Sequence, residues 1–461
     1  MLWAVPKLKM EIPGNYRAWE NSKRKFWLPH RQTLGNSAPS AEHRYMRYIS
    51  DKWKWLAVAA LFAFCVAPTF ISYKPYQLGW DDAEYLQKAI LVSRAFWSLN
   101  LHGLSVAMVS HKPPIMTLMG LPWGPLSSWE AAGKCFISLV AAISLLVALC
   151  LYLLQRLGVK PLFLLIAGVC VFASLGPFPA GATQHWNATA FFADSLFAWT
   201  TLAALLLIPY EARIVCASTT GAVLRGLLWA AILSLGMMTK LSFLYFAVFI
   251  VPALFFIRLR RVGVRGALVA LLALVCGSAP AVFYLTRWGQ PAWFHARASS
   301  FGRVADFYGQ TTFHALGTYL RESPGFALSL ALMASALLYV IIRRRRVLLG
   351  PAFLAILIVV GFCMVVFASP NKDIRFTFPA VVGLPILIAL LLSNHEDPVP
   401  TRSAAPAAVL VFCGLVLAGV PTRHRAQKEI ISRCDAVLAQ AARCGARRIL
   451  IATDNPSLNK P

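Results

Sequence analysis

The stretch WLAVAALFAFCVAPTFISY (Trp55–Tyr73), followed after a short gap by GWDDAEY (Gly79–Tyr85), decides the class of fold. Its first part is apolar over the roughly 17–25 residues that a helix needs to cross the hydrocarbon core of a bilayer. Similar runs recur as far as Ala405–Val420, about eleven by the same length criterion. Hydrophobic residues make up 58% of the 461 and charged ones only 13%, a balance that excludes an ordinary water-soluble globule. The expected architecture is an all-α polytopic membrane protein with about eleven spans.

The second part, GWDDAEY, opens a long loop (73–130) that also carries SHKPP (Ser110–Pro114). Acids and bases near lipid are unfavourable unless water, substrate or partners compensate them. Asp81, Asp82, Glu84 and Lys112 are therefore the first candidates for chemistry. Apolar positions at helical spacing from Ala83 to Leu99, namely Tyr85, Leu86, Ala89, Ile90, Phe96 and Trp97, predict an amphipathic helix on the membrane surface. Such a helix places Asp81 and Asp82 at its N-terminus, where the helix dipole favours negative charge.

Sidedness follows from the bases, since short loops rich in Lys and Arg stay in the cytoplasm. The net charge of +26 is concentrated before Lys54, in Arg258–Arg265 and in Arg343–Arg346. A cytoplasmic N-terminus with alternating spans puts these three segments on one side. It puts the 73–130 loop, Pro177–Asn187, Thr239/Lys240, Arg287–Ser323 and Ser369–Arg375 on the other. Topology alone explains the basic excess, so no nucleic-acid partner is inferred. Residues 1–54 are too polar to be a cleaved signal peptide and read as a cytoplasmic extension in contact with anionic lipid.

Further along, Asp194 stands inside the fourth apolar run, where an unpaired carboxylate is expensive; it is expected to face the bundle interior or a cavity. The segment Arg225–Arg258 is too long for one span and reads as two, joined at Thr239, Lys240 and Ser242. Most of the ten cysteines lie in apolar runs as small packing residues, and no Cys/His spacing describes a zinc site. The tail 422–461 has a soluble composition, with a helical pattern followed by strand-like RRILIATD (Arg447–Asp454), and reads as the start of a small α/β domain. No internal repeat is visible, which weighs against transporters built from inverted halves.

An acidic DDxxY-type motif after the first span, an outer KPP, an acid in the fourth span and a TK junction occur here in that order. Together they resemble the polyprenyl-phosphate-sugar-dependent glycosyltransferases of the GT-C fold, the group of protein O-mannosyltransferases and lipid A aminoarabinose transferases. The resemblance runs from about Trp55 to Leu392 and implies a GT-C catalytic domain over 55–421. By position it makes Asp81 the acid that activates or orients the acceptor, with Asp82 and Tyr85 as its companions, and Lys112 the base that binds the donor's phosphate. It makes Asp194 the second carboxylate, and Lys240 and Arg375 (in NKDIRF) helpers at that phosphate. Glu84 stands where aminoarabinose transferases tend to have arginine, His111 where they have an acid, and TKG is TKL here.

The chemistry agrees with this assignment. Transfer of a sugar from a polyprenyl phosphate needs a carboxylate to take a proton from the acceptor, or to orient it, and a cation to stabilise the departing phosphate. The expected protein is a bacterial inner-membrane enzyme with a periplasmic site, acting on a lipid, glycan or protein acceptor. No cofactor is implied and no metal site is assigned, though His111 beside Asp81 is able to ligate a divalent cation if one is used. The competing reading is a transporter or flippase of a lipid-linked saccharide, which would place charge near the bilayer midplane.

Overall fold

The computed structural model describes residues 80–110, 113–160, 193–213, 218–291, 350–368 and 377–393, with a few isolated positions besides, all within the unit Trp55–Pro461. Residues 1–54 and the first apolar run Trp55–Tyr73 lie outside the described residues. So do Pro177–Asn187, most of Arg287–Ser323 and the basic run Arg343–Arg346. Of the tail 422–461 only Gln440 and Arg443 are described, both helical, so the expected α/β start there also lies outside.

Helix dominates the described residues and no strand occurs among them. The elements are α1 (Trp80–Trp97), α2 (Leu101–Met108), the single turn α3 (Ile115–Leu118), a 3-10 turn (Leu121–Trp123) and α4 (Ser128–Arg156). They continue with α5 (Ala193–Arg213), α6 (Thr219–Thr239), α7 (Phe243–Arg287), α8 (Pro351–Ala368) and α9 (Phe378–Ser393). Five of them, α4 to α8, are long and apolar enough to cross a membrane, which makes this a multi-pass membrane protein.

Helix α5 is the hub. Its sequence, ADSLFAWTTLAALLLIPYEAR, is rich in small and aliphatic side chains, and every residue from Ala193 to Glu211 except Trp199 is buried. It packs against α4, α6, α7, α8 and α9. The hydroxyl of Thr200 turns back to donate to the carbonyl of Leu196 (2.7 Å), so a polar group is satisfied inside an apolar interior.

Helices α6 and α7 confirm the two-span reading of Arg225–Arg258. Helix α6 stops at Thr239, and Lys240 follows in extended conformation as its C-cap. The turn is tight because Gly236 has no side chain; a Cβ there would stand 2.5 Å from the ring of Phe243. The 45 residues of α7 are twice what a crossing needs, and they are broken at Gly263, with φ 83° and ψ 177°. Gly226 of α6 lies against Ala270 and Ala273, and Ala230 against Gly277. Residues rising along α6 therefore meet residues rising along 264–287, so this arm runs parallel to α6 and antiparallel to 243–262. The sequence reading expects a basic cytoplasmic loop at Arg258–Arg265. Helix continues instead on both sides of a single glycine, because Arg, Leu and Val all tolerate helix and only Gly263 takes a conformation reserved for glycine. Val248, Phe249, Phe256, Leu268, Leu272 and Val275 are exposed along this hairpin, as a surface facing acyl chains requires.

Side-chain ties sort the helix termini into two ends. At one, Tyr284 Oη donates to the carbonyl of Met108 (3.1 Å) and Trp288 Nε1 to Ser105 Oγ (3.2 Å), joining the close of α7 to α2. At the other, Arg213 donates to the carbonyl of Leu157, and the amide of Lys160 donates to Ser393 Oγ (3.0 Å). The short turn between α4 and the next apolar run lies there, at Leu157–Lys160. Gly158, at φ 67°, takes the left-handed conformation after the last helical residues. Its amide bonds to Gln155 O (3.0 Å) and that of Val159 to Leu154 O (3.1 Å), the pairing that ends a helix without stranding its carbonyls.

The helix predicted over Ala83–Leu99 is present as α1. Tyr85, Leu86, Ala89, Val92 and Ser93 form its buried stripe. Phe96 and Trp97, expected on the same apolar face, are 44% and 50% exposed, since the helix turns them away from that stripe. Polar bonds fasten α1 to the following chain: Ser93 Oγ to Gly124 O, Arg94 Nε to Leu126 O (2.8 Å) and Trp97 Nε1 to Leu121 O (2.9 Å).

Candidate active site

The central feature is an ion pair between two residues 46 positions apart, Asp194 and Lys240. Asp194 lies in the first described turn of α5 and is buried; the Lys240 side chain is 19% exposed. Their meeting follows from the fold. The cap of α6 leaves Lys240 extended at the α6–α7 turn, beside the end of the hub helix. The ammonium also stands 5.6 Å from the centre of the Phe197 ring, one turn along α5, a cation–π contact. Below it Phe197, Phe243, Phe246 and Phe362 stack with ring centres 4.6–6.4 Å apart. All four rings are buried, so the charged pair rests on an apolar bed.

The segments carrying the other candidates gather around the same end. Asp81 and Asp82 fall in the first described turn of α1; their side chains lie outside the described residues. Glu84 is half-buried and Tyr85 buried on that helix. His111 and Lys112 lie outside the described residues, but the chain on either side of them is fixed. Lys88 Nζ donates to the carbonyl of Val109 (3.1 Å), and Thr117 Oγ1 donates to that of Pro114 (2.6 Å). The turn α3 that follows packs on both α1 and α6. Arg375 is likewise outside the described residues, between α8 and α9. Phe362 of α8 touches Phe197 near Asp194, whereas Ser393 closes α9 at the opposite end. Ala368 and Phe378, which flank that connection, are thus at the Asp194 end.

A second charged cluster, not foreseen from the sequence, closes the other end of α5. Glu211 is buried and faces two guanidinium groups, Arg258 at 3.3 Å and Arg225 at 3.5 Å, and accepts from Trp229 Nε1 at 3.3 Å. Arg258 is itself buried and donates from Nε to the carbonyl of Gly266 (3.2 Å), bracing the hairpin across Gly263. The signal was present, since Glu211 is an acid in an apolar run. Its partners were hidden because Arg258 reads as part of a basic cytoplasmic segment and Arg225 as the boundary of a span.

Between Asp194 and Glu211 helix α5 has no ionisable group but Tyr210. At 1.5 Å per residue the two acids stand about 26 Å apart, close to the thickness of the hydrocarbon core. Charge is therefore held at the two boundaries and kept out of the middle of the hub.

Among the described residues no three His, Cys, Asp or Glu side chains gather as metal ligands. Cys135, Cys150 and Cys363 are buried and unpaired in the helix interfaces, as packing residues would be. No protein-family model, no curated protein and no solved structure matches this chain.

Proposed function

We propose that this protein is a membrane glycosyltransferase that moves one sugar from a polyprenyl-phosphate donor to a lipid, glycan or protein acceptor, in a bacterial inner membrane with the site on the periplasmic side. The observation that carries the reading is the Asp194–Lys240 pair, set at the end where the flanks of the other candidate residues converge. Two residues chosen separately from the sequence meet in one place, and the turn α3, which follows SHKPP in the chain, packs on α6, the helix that Lys240 caps.

In this reading the acceptor's hydroxyl or amine attacks the anomeric carbon, with inversion, while the bond from that carbon to the phosphate oxygen breaks. Asp81 takes or orients the acceptor's proton, and Asp82 and Tyr85 support it. Lys112 holds the donor's phosphate and meets the charge that grows on it as it leaves. Lys240 and Arg375 add positive charge there. The role of Asp194 is to hold Lys240 in place, because its carboxylate is engaged with that ammonium. The apolar middle of α5 favours this reading over translocation of a lipid-linked saccharide, which needs polar groups across the midplane.

The experiment is release of free polyprenyl phosphate by the purified protein in nanodiscs, with a panel of polyprenyl-phosphate sugars. Asp81→Asn and Lys112→Ala are each expected to lower turnover by about 10²–10⁴, the usual loss for a general base or an oxyanion partner. Absence of turnover with every donor, together with saccharide-lipid binding that survives both substitutions, would transfer the assignment to translocation or assembly.

A further inference from the structure

Among the described residues, the cluster at the opposite end of α5 sets one carboxylate, Glu211, against the two guanidinium groups of Arg225 and Arg258. Arg258 is committed to the fold, through Glu211 and Gly266. Arg225 is not. Its Nη1 stands 3.5 Å from Glu211, an ion-pair distance, and among the described residues it donates no hydrogen bond. Yet its side chain is only 17% exposed. A guanidinium has five N–H donors, and withdrawing it from water with those donors unfilled is unfavourable.

The way Arg225 is held indicates what fills them. The ring of Tyr210 covers one face of the guanidinium, 4.7 Å from its carbon. This cation–π contact uses none of the N–H donors, and a guanidinium presents those donors in a planar fork that matches two oxygens of a phosphate at once. Arg156 also lies over a tyrosine ring, that of Tyr152 at 5.2 Å, but in an exposed position; burial is what sets Arg225 apart. Arg260 and Arg265 on the same hairpin are exposed to the surroundings, as the positive-inside rule alone requires. The depth also fits, since Glu211 lies about one hydrocarbon thickness from Asp194 and so near the headgroup level of a leaflet.

We propose that Arg225, backed by Glu211, Tyr210 and Arg258, binds the phosphate of an anionic phospholipid in the leaflet at that end. The site is separate from the candidate active site and does not rest on the glycosyltransferase reading.

The test uses the full chain purified from nanodiscs of phosphatidylcholine with phosphatidylglycerol, with the lipid retained after detergent exchange counted by native mass spectrometry. Wild type is expected to keep phosphatidylglycerol. Arg225→Gln should retain at least tenfold less, whereas Arg156→Gln, which removes the same charge from an exposed position at the same end, should retain as much as wild type. Arg225→Lys keeps the charge opposite Glu211 but lacks the planar fork; folding is checked by gel filtration, and several-fold lower retention is expected. Undiminished retention in Arg225→Lys or Arg225→Gln would overturn the site, as would an equal loss in Arg156→Gln, which would make the attraction diffuse. Displacement of the lipid by soluble glycerol phosphate at the same concentration would also overturn it, in favour of a water-soluble phosphate ligand.

Discussion

Asp194 and Lys240 neutralise each other where water is scarce, and that fixes what each substitution does. Removing Lys240 leaves the buried Asp194 charge uncompensated, which costs about 3–5 kcal/mol, while replacing both by apolar residues of similar size is often neutral. Lys240→Met is therefore expected to lower the unfolding midpoint sharply. Asp194→Leu with Lys240→Met should restore most of it. Turnover should be absent in the single and in the double variant, because the double variant regains the packing without the cation. Thermal unfolding in detergent, run beside the polyprenyl phosphate assay, separates the two roles; a double variant that recovered turnover would make the pair purely structural. Asp194 was legible in the sequence because a carboxylate on an apolar span demands a partner. The identity of that partner was not, since nothing local relates positions 194 and 240.

Single glycines control how the helices turn and touch, and they do so by two different mechanisms. Gly226→Ala would drive a methyl to 2.2 Å from the carbonyl oxygen of Ala270, so α6 must move off the 264–287 arm, at about 1–3 kcal/mol. Gly263→Ala meets nothing within 4 Å, and its penalty is that of a backbone conformation that side chains rarely adopt, again about 1–3 kcal/mol. The two differ in repair. Trimming the facing residue with Ala273→Gly should relieve part of the Gly226→Ala defect and none of the Gly263→Ala defect, as read by unfolding midpoints. Periodicity made α1 legible, and length made the α6–α7 junction legible. A reversal within Arg258–Arg265 was expected, but its form, helix on both sides of Gly263, escaped because the arginines there resemble a loop in composition while their backbone stays helical. The Glu211 cluster escaped for a related reason: each of its arginines has a sufficient explanation in topology until the fold brings them to one carboxylate.

The hub helix α5 carries Asp194 and Glu211 towards its two ends with an apolar stretch between them, and the orientation of the described helices is open to direct measurement. With cysteines introduced singly into a cysteine-free background, Leu99→Cys and Arg260→Cys, both at exposed positions, should react with a membrane-impermeant thiol reagent from opposite sides, Leu99→Cys from the periplasm. Labelling of both from one side would break the proposed arrangement of α1 and the α7 hairpin. The hub helix brings a further consequence. Of the five helices able to cross, α5 is the least apolar, yet it is the one most fully enclosed by its neighbours. During synthesis it emerges before α6 to α9, with Asp194, Glu211 and its threonines still lacking most of their surroundings. Biogenesis must therefore keep α5 sheltered until those later helices arrive, and chains halted after Arg213 should be removed by proteolysis while chains completed through Ser393 persist.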